Sequence, residues 1–247
     1  MFRFSRQLIF SLLLVSGNAC SDEIRVAVAS NFFAAIEALA RQFEGETGHK
    51  VTLVIGSSGK HYAQIHHGAP YDLFFSADER RPRLLEEAGD TVSGSRFTYA
   101  VGKLMLWSPS DNLVNEGGKV LEQGKFRYLA IANPKLAPYG KAAQEVLQSR
   151  RLWKPLRSRM VRGENIGQTF QFVRSGNAEL GFVAYSQIKR PGETISGSYW
   201  KVPQGLYTPI TQQAVLLRES AVARNFLEYV KSDTAQKTIR AHGYATH

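Results

Sequence analysis

The chain has 247 residues, of which 43% are hydrophobic, and it carries one cysteine and a formal net charge of +10. This length and apolar content suffice for one large domain or two lobes with a real core, and no low-complexity tract or internal repeat is present. The positive charge attracts anions at long range. No basic run is interleaved with stacking aromatics, so we do not expect a nucleic-acid-binding protein.

Residues 1–21 have the pattern of a secretory signal peptide. Two early arginines precede an apolar run at 8–15, which is too short for a membrane span of about 20 residues. Cleavage after Ser21 would make Asp22 the mature N-terminus and would lower the charge from +10 to +8 by removing those two arginines. It would also remove Cys20, the single cysteine. A lipoprotein with acylated Cys20 is the alternative.

Apolar runs typical of strands alternate with helical patterns along the rest of the chain. The predicted strands cover residues 24–29, 51–55, 71–77, 99–108, 128–132, 181–185 and 207–217. This alternation predicts an α/β fold. A polar, glycine-containing stretch at 111–124 indicates a change of lobe. We therefore predict lobe 1 from residues 22–105 and 207–247 and lobe 2 from 106–206, with hinge crossings near 103–107 and 204–214.

Glycine and polar residues recur where a predicted strand leads into a helix. The turns are Ser30-Asn31, Gly56-Ser57-Ser58-Gly59-Lys60, Pro138-Tyr139-Gly140 and Glu164-Asn165-Ile166. Each turn taken alone is most simply a helix cap. A helix start nevertheless leaves backbone N–H groups unpaired, so four such turns in one chain favour an anion site.

A set of motifs in fixed order resembles the periplasmic molybdate-binding proteins of ABC importers. They are residues 27–32 (AVASNF), 56–59 (GSSG), 68–78 (GAPYDLFFSAD), 138–140 (PYG), 164–166 (ENI) and 180–185 (LGFVAY). The resemblance covers the chain from Asp22 onward. It implies a two-lobed periplasmic binding protein of type II-like α/β fold that captures molybdate, and also tungstate, and delivers it to a membrane permease. It also implies a periplasmic monomer without a cofactor.

The resemblance further implies which residues hold the anion. The contacts would come from Ser30, Asn31 and Ser58, from Tyr139, and from the backbone N–H of Ile166. Molybdenum would be held only as the oxyanion, through these same residues. Tyr185 is a sixth candidate, although some relatives place their ligand-contacting tyrosine at the position held here by Ala184.

Two other classes of function stay open from the residues alone. Ser58 followed by Lys60 and His61 would suit a serine hydrolase, but the spacing matches neither a Gly-x-Ser-x-Gly elbow nor a Ser-x-x-Lys motif. The ligand could also be another oxyanion, such as sulfate, or iron held by Tyr139 and Tyr185. The candidate side chains are hydrogen-bond donors, which suits a dianion without a proton better than phosphate, whose P–OH group needs an acceptor.

Overall fold

Two five-stranded sheets organise the part of the chain that the computed structural model describes, residues 21–246. The strands are β1 (Glu23–Ala29), β2 (Lys50–Gly56), β3 (Leu73–Ser76), β4 (Phe97–Gly102), β5 (Leu104–Ser108), β6 (Leu129–Ala132), β7 (Met160–Gly163), β8 (Leu180–Ala184), β9 (Ser198–Lys201) and β10 (Ile210–Leu216). The helices are α1 (Phe33–Thr47), α2 (Ser58–His66), α3 (Arg80–Glu87), α4 (Val120–Gln123), α5 (Pro138–Ser149), α6 (Ile166–Arg174), α7 (Tyr185–Ile188), α8 (Ala221–Lys231) and α9 (Asp233–Ala241). The predicted α/β class is confirmed.

The first sheet has the strand order β2-β1-β3-β10-β4. Strands β1, β2 and β3 are parallel, and β10 is antiparallel to both of its neighbours. Val26, Ala27 and Val28 of β1 are fully buried. This is expected for a strand inside a parallel sheet that helices cover on both faces. We call this sheet and its helices the first lobe.

The second sheet has the order β7-β6-β8-β5-β9. Here β6 is parallel to β7 and β8, whereas β5 is antiparallel to β8 and β9. The two sheets therefore have the same plan: three parallel strands, then an antiparallel strand, then an edge strand. The second sheet with α4 to α7 forms the second lobe.

The antiparallel strand of each sheet arrives from the other lobe. β4 ends at Gly102 in the first sheet and β5 begins at Leu104 in the second, so Lys103 makes the first crossing. Residues 202–209 make the return crossing from β9 to β10. The predicted single strand 99–108 is two strands, because its halves pair in different sheets.

Strand pairing places the last residues of the predicted first-lobe segment in the second sheet. The prediction placed residues up to 105 in the first lobe, whereas Leu104 and Met105 pair with Ala184 and Val183 of the second sheet. A continuous apolar run gives no sign of where its pairing partner changes, since both halves are buried.

Helices bury the apolar faces of both sheets. In the first lobe, Phe226 of α8 and Ile239 of α9 pack with α1 on one face, and Ile65 and Leu85 contribute to a second cluster that includes Phe74. In the second lobe, α5 and Ile166 at the start of α6 lie in one apolar cluster, and Val173 of α6 lies in another. The first of these clusters also includes Ala29 and Ala77 of the first lobe, so the apolar core continues across the cleft.

The lobes are in direct contact across the cleft between them. The N–H of Gly59 donates to the carbonyl of Leu136 at 2.9 Å, and the N–H of Gly167 donates to Ser30 Oγ at 3.0 Å. A Cβ at Gly59 would lie 2.9 Å from Leu136 Cα, so glycine permits this close approach. The protein is therefore in a closed form.

The predicted signal peptide lies outside the described residues, apart from Ser21, and so does Cys20. Within residues 21–246, the helices are all too short or too polar to cross a membrane.

Truncating one core residue should test the first-lobe core. Phe226 is fully buried, with its ring centroid 5.1 Å from that of Phe43. Phe226→Ala should lower the free energy of unfolding by about 3–5 kcal/mol through lost burial and a cavity. Urea unfolding followed by circular dichroism would measure this. Phe33→Ala is the matched control, since Phe33 is 42% exposed, and equal losses in the two variants would contradict this packing.

Candidate functional site: a pocket between the lobes

Parallel strands from both lobes end at the cleft. A small cavity lies where these carboxyl ends meet, the position at which open α/β sheets bind ligands. Its lining is Ala29, Ser30, Asn31, Gly56, Ser57, Ser58, Ala77, Ala137, Pro138, Tyr139, Asn165 and Ile166. Five of the six predicted site residues are in this lining: Ser30, Asn31, Ser58, Tyr139 and Ile166.

The serine turn after β2 presents donors from the start of α2. Ser57 is the N-cap, and its Oγ accepts the N–H of Lys60 at 3.3 Å. Ser58 is the first helical residue, and its Oγ accepts the N–H of Ala77 at 2.9 Å. The hydroxyl proton of Ser58 is then free to be donated, and its backbone N–H has no acceptor within the helix. Ser58 can therefore offer two donors.

The start of α5 comes from the second lobe. Pro138 occupies the first helical position, where a missing N–H costs nothing. Tyr139 follows, and its N–H also lies in the first turn, where the helix supplies no acceptor. The Tyr139 side chain is 1% exposed, and its Oη accepts a hydrogen bond from Gln212 Nε2 at 3.2 Å. A Cβ at Gly102 would overlap this phenol oxygen, so glycine there makes room for it.

The start of α6 completes the second-lobe side. Asn165 is the N-cap, with its Oδ1 accepting the N–H of Gln168 at 2.9 Å. This cap leaves the N–H of Ile166, the first helical residue, without an intrahelical acceptor. Ile166 itself is 3% exposed. Its N–H is thus a further donor of the second lobe.

Asn31 is held by residues that the sequence did not single out. Its Nδ2 donates to Gln212 Oε1 at 2.7 Å and to Tyr244 Oη at 3.0 Å. Its Oδ1 is buried and has no hydrogen-bond partner among residues 21–246. The sequence did carry one signal: Gln212 and Gln213 are adjacent in a strand, so one of them must face inward. Tyr244 had no comparable signal.

Tyr185, the sixth candidate, lies outside this pocket. It begins α7 and lines a different cavity with Lys103, Met105, Tyr199 and Lys201. The neighbouring Ser186 is closer to the site, since its Oγ donates to the carbonyl of Asn31 at 3.0 Å.

The pocket lining is uncharged, with hydroxyl, amide and phenol groups among small apolar residues. None of the described residues that line it is an Asp, Glu, Lys, Arg or His. Burial raises the pKa of Tyr139 well above its ordinary value, and it does the same for Tyr99. Burial likewise raises the pKa of Tyr244. These phenols stay protonated at neutral pH, so each keeps an O–H group that can donate a hydrogen bond.

The residues considered for hydrolase chemistry have other partners. His61 Nε2 lies 3.2 Å from the carbonyl of Val28, and burial lowers the pKa of His61, so the neutral ring donates there. Lys60 Nζ forms an ion pair with Glu164 at 3.1 Å. Among the described residues, no hydrogen bond joins Ser58 to the side chain of either one. The arrangement of nucleophile and base is thus not formed in this structure.

No cluster of three or more His, Cys, Asp or Glu side chains suited to a metal ion occurs within residues 21–246. Tyr139 and Tyr185, the phenols considered for iron, line different cavities.

Alkaline titration should separate the buried phenols from the rest of the ten tyrosines. The pKa values of Tyr99, Tyr139 and Tyr244 are raised above the ordinary 10.0. Their contribution to stability is therefore complete below about pH 10 and is lost as the pH rises further, because the unfolded chain releases those protons more readily. Near-ultraviolet absorbance should show these phenols ionising only as the protein unfolds.

Two variants identify the phenols in that titration. Tyr139→Phe should remove one late-ionising group, and Tyr99→Phe should remove another. Ionisation of all ten tyrosines before unfolding would contradict the burial described here.

The chain matches a family model described as bacterial extracellular solute-binding protein over residues 24–245. It is 47% identical to the molybdate-binding protein ModA of Azotobacter vinelandii, over 94% of this chain and 93% of that protein. It is 45% identical to ModA of Rhodobacter capsulatus, over 96% and 94% of the two chains. The solved Azotobacter vinelandii periplasmic molybdate-binding protein superposes with a TM-score of 0.88 at 44% identity, covering 91% of this chain and 99% of that one. The chain therefore belongs to the bacterial extracellular solute-binding protein family.

Proposed function

We propose that this protein captures molybdate, accepts tungstate as well, and delivers the bound anion to the permease of an ABC importer. The observation that carries the proposal is the uncharged, donor-rich pocket at which helix starts from both lobes meet. The relatives named molybdate-binding proteins, at 47% and 45% identity, support the choice of anion.

The donors come from both lobes. Ser58 supplies a hydroxyl and an N–H in the first lobe, where Ser30 and Asn31 line the same cavity. The second lobe supplies the N–H groups of Tyr139 and Ile166. A hydrogen bond to a charged group contributes about 1.5–3 kcal/mol, and a helix terminus adds about 0.3–1 kcal/mol. Several such contacts, less the cost of closure, permit micromolar to nanomolar binding without a fixed cation.

Protonation distinguishes molybdate from phosphate in such a pocket. Molybdate at neutral pH is a dianion with no proton, so every oxygen accepts. Phosphate carries a P–OH group, and leaving that donor unpaired in a buried site costs about 1–3 kcal/mol. The pocket lining holds no carboxylate among its described residues to accept it. The donor set therefore favours the fully deprotonated tetrahedral anion.

Closure couples binding to transport. The cavity holds about 10 Å³ in this closed form, roughly the room for one water molecule. The lobes must therefore open to admit a tetrahedral oxyanion before they close on it. Because the donors are divided between the lobes, the anion binds the closed form best and shifts the population toward it. The closed lobes are the state that a permease would recognise.

We further propose that the protein acts without catalysis, as a periplasmic monomer exported by residues 1–21. Ser58 then serves as a ligand donor, which agrees with the separate partners of Lys60 and His61. No cofactor is needed for capture, since the helix starts and hydroxyls supply the contacts.

Anion selectivity tests the proposed function. Isothermal titration calorimetry on residues 22–247 should show tight binding of molybdate and tungstate. Phosphate should bind at least about tenfold more weakly, because the described lining offers its P–OH no carboxylate acceptor. Sulfate provides the comparison for size, since it is also a proton-free dianion. Equal affinity for phosphate and molybdate would overturn the proposed preference for a proton-free anion.

Adjacent serines provide a matched pair of variants. Ser58→Ala should weaken molybdate binding by roughly ten- to a hundredfold through the loss of one charge-assisted hydrogen bond. Ser57→Ala should instead lower the free energy of unfolding by about 0.5–2 kcal/mol, because it removes the N-cap of α2. Calorimetry and urea unfolding of both variants separate these roles. A larger loss of affinity in Ser57→Ala than in Ser58→Ala would count against the assignment.

A further inference from the structure

Gln212 connects the two sides of the anion pocket without lining it. It lies on β10, the strand that enters the first sheet after the return crossing, and its side chain is fully buried. Its Oε1 accepts from Asn31 Nδ2 of the first lobe at 2.7 Å, and its Nε2 donates to Tyr139 Oη of the second lobe at 3.2 Å. One amide thus bridges a pocket residue from each lobe.

We propose that Gln212 is a positioning residue that fixes the separation of the two donor sets and so helps determine which oxyanion the pocket accepts. This inference rests on the proposed function as an oxyanion receptor. Through Tyr139, Gln212 holds the first turn of α5 and its N–H groups. Through Asn31, it holds the turn that follows β1. The distance between these turns sets the size of anion that every donor can reach at once.

The surroundings of Gln212 hold its side chain in one place. Tyr99 Oη also donates to Gln212 Oε1, at 3.0 Å, so that oxygen accepts two hydrogen bonds. A Cβ at Gly102 would lie 2.6 Å from Gln212 Nε2, so the glycine keeps the space that the amide occupies. The pairing of β10 with β4 changes register between Gln212 and Gln213. Such a bulge re-aims a side chain relative to a regular strand.

Gln212 also allows Asn31 to turn a donor toward an anion. A half-turn of the Asn31 amide would replace its unpartnered Oδ1 by Nδ2. If the Gln212 amide turned as well, Nε2 would donate to Asn31 Oδ1 and Oε1 would accept from Tyr139 Oη. The bridge through Gln212 has two bonds in both arrangements, and the reversed Asn31 amide gives up only the bond that its Nδ2 donates to Tyr244 Oη. An apolar residue at 212 could support neither.

Calorimetry with molybdate and sulfate on residues 22–247 tests the proposal. Gln212→Met removes both bridging bonds at similar volume and should weaken molybdate binding roughly ten- to a hundredfold. It should also reduce the ratio of molybdate to sulfate affinity, because a pocket without the bridge adapts to either size. Gln213→Met is the matched control: it changes the same residue type on the same strand, where Gln213 bonds instead to Arg96 and Thr98. It should leave both affinities within twofold of the wild type.

A double-mutant cycle shows whether the effect passes through Tyr139. Tyr139→Phe removes the acceptor of the Gln212 bond and should weaken binding by itself. If the two residues act through one bond, the double variant should bind about as well as Gln212→Met alone. Circular dichroism confirms that each variant is folded, and Tyr139→Phe tests the same bond should Gln212→Met fail to fold.

The outcomes separate this inference from the proposed function. If the wild type binds neither anion, the proposed function fails and the positioning role fails with it. If the wild type binds molybdate but Gln212→Met keeps its affinity and selectivity, only the role of Gln212 is overturned. Additive losses in the cycle, or an equal loss in Gln213→Met, would overturn it too.

Discussion

Backbone N–H groups that helices cannot pair internally are the constraint on which this structure depends. The first turns of α2, α5 and α6 leave such groups at Ser58, Tyr139 and Ile166. A buried unpaired N–H is costly, so these helix starts require either solvent or a ligand that accepts. The topology brings them to one point, because the parallel strands that precede them end at the cleft. The proposed oxyanion would satisfy all of them at once.

The hydrogen-bond donors of the pocket are divided between the two lobes, and this explains why two lobes are needed. No single lobe surrounds the cavity, since its lining alternates between turns of the first and the second sheet. The chain crosses between the lobes at Lys103 and at residues 202–209. Each sheet therefore contains a strand that directly follows a strand of the other sheet. Direct bonds such as that from Gly167 to Ser30 Oγ form only when the lobes meet. Closure and ligand contact are therefore parts of one equilibrium.

Much of this arrangement could be predicted from the sequence, and the reasons are local. Strand-to-helix turns at Ser30, Ser58, Tyr139 and Ile166 are recognisable because capping residues and glycine follow apolar runs. The fold class follows from the alternation of such runs, and the family from the order of its motifs. Five of the six predicted site residues line one cavity, but the choice of these six came from the family resemblance.

What the sequence could not provide depends on contacts distant along the chain. Gln212 is 181 residues from Asn31, and Tyr244 is 213 residues from it. No periodicity or motif joins them. The point at which residues 99–108 pass from one sheet to the other could not be predicted from the sequence, because both halves are equally apolar. Tyr185 was a candidate because it directly follows Ala184, the position at which some relatives have a ligand-contacting tyrosine. In the structure it begins α7 and lines another cavity.

The position of the bound metal centre tests the central claim most directly. Crystals of residues 22–247 grown with molybdate should give one strong anomalous peak at the molybdenum absorption edge. We predict that this peak lies between the first turns of α2, α5 and α6, with oxygens within hydrogen-bonding distance of Ser58 Oγ and the N–H groups of Tyr139 and Ile166. A peak in the charged cavity lined by Arg81, Lys141 and Glu145, or no ordered molybdenum at the helix starts, would contradict this account.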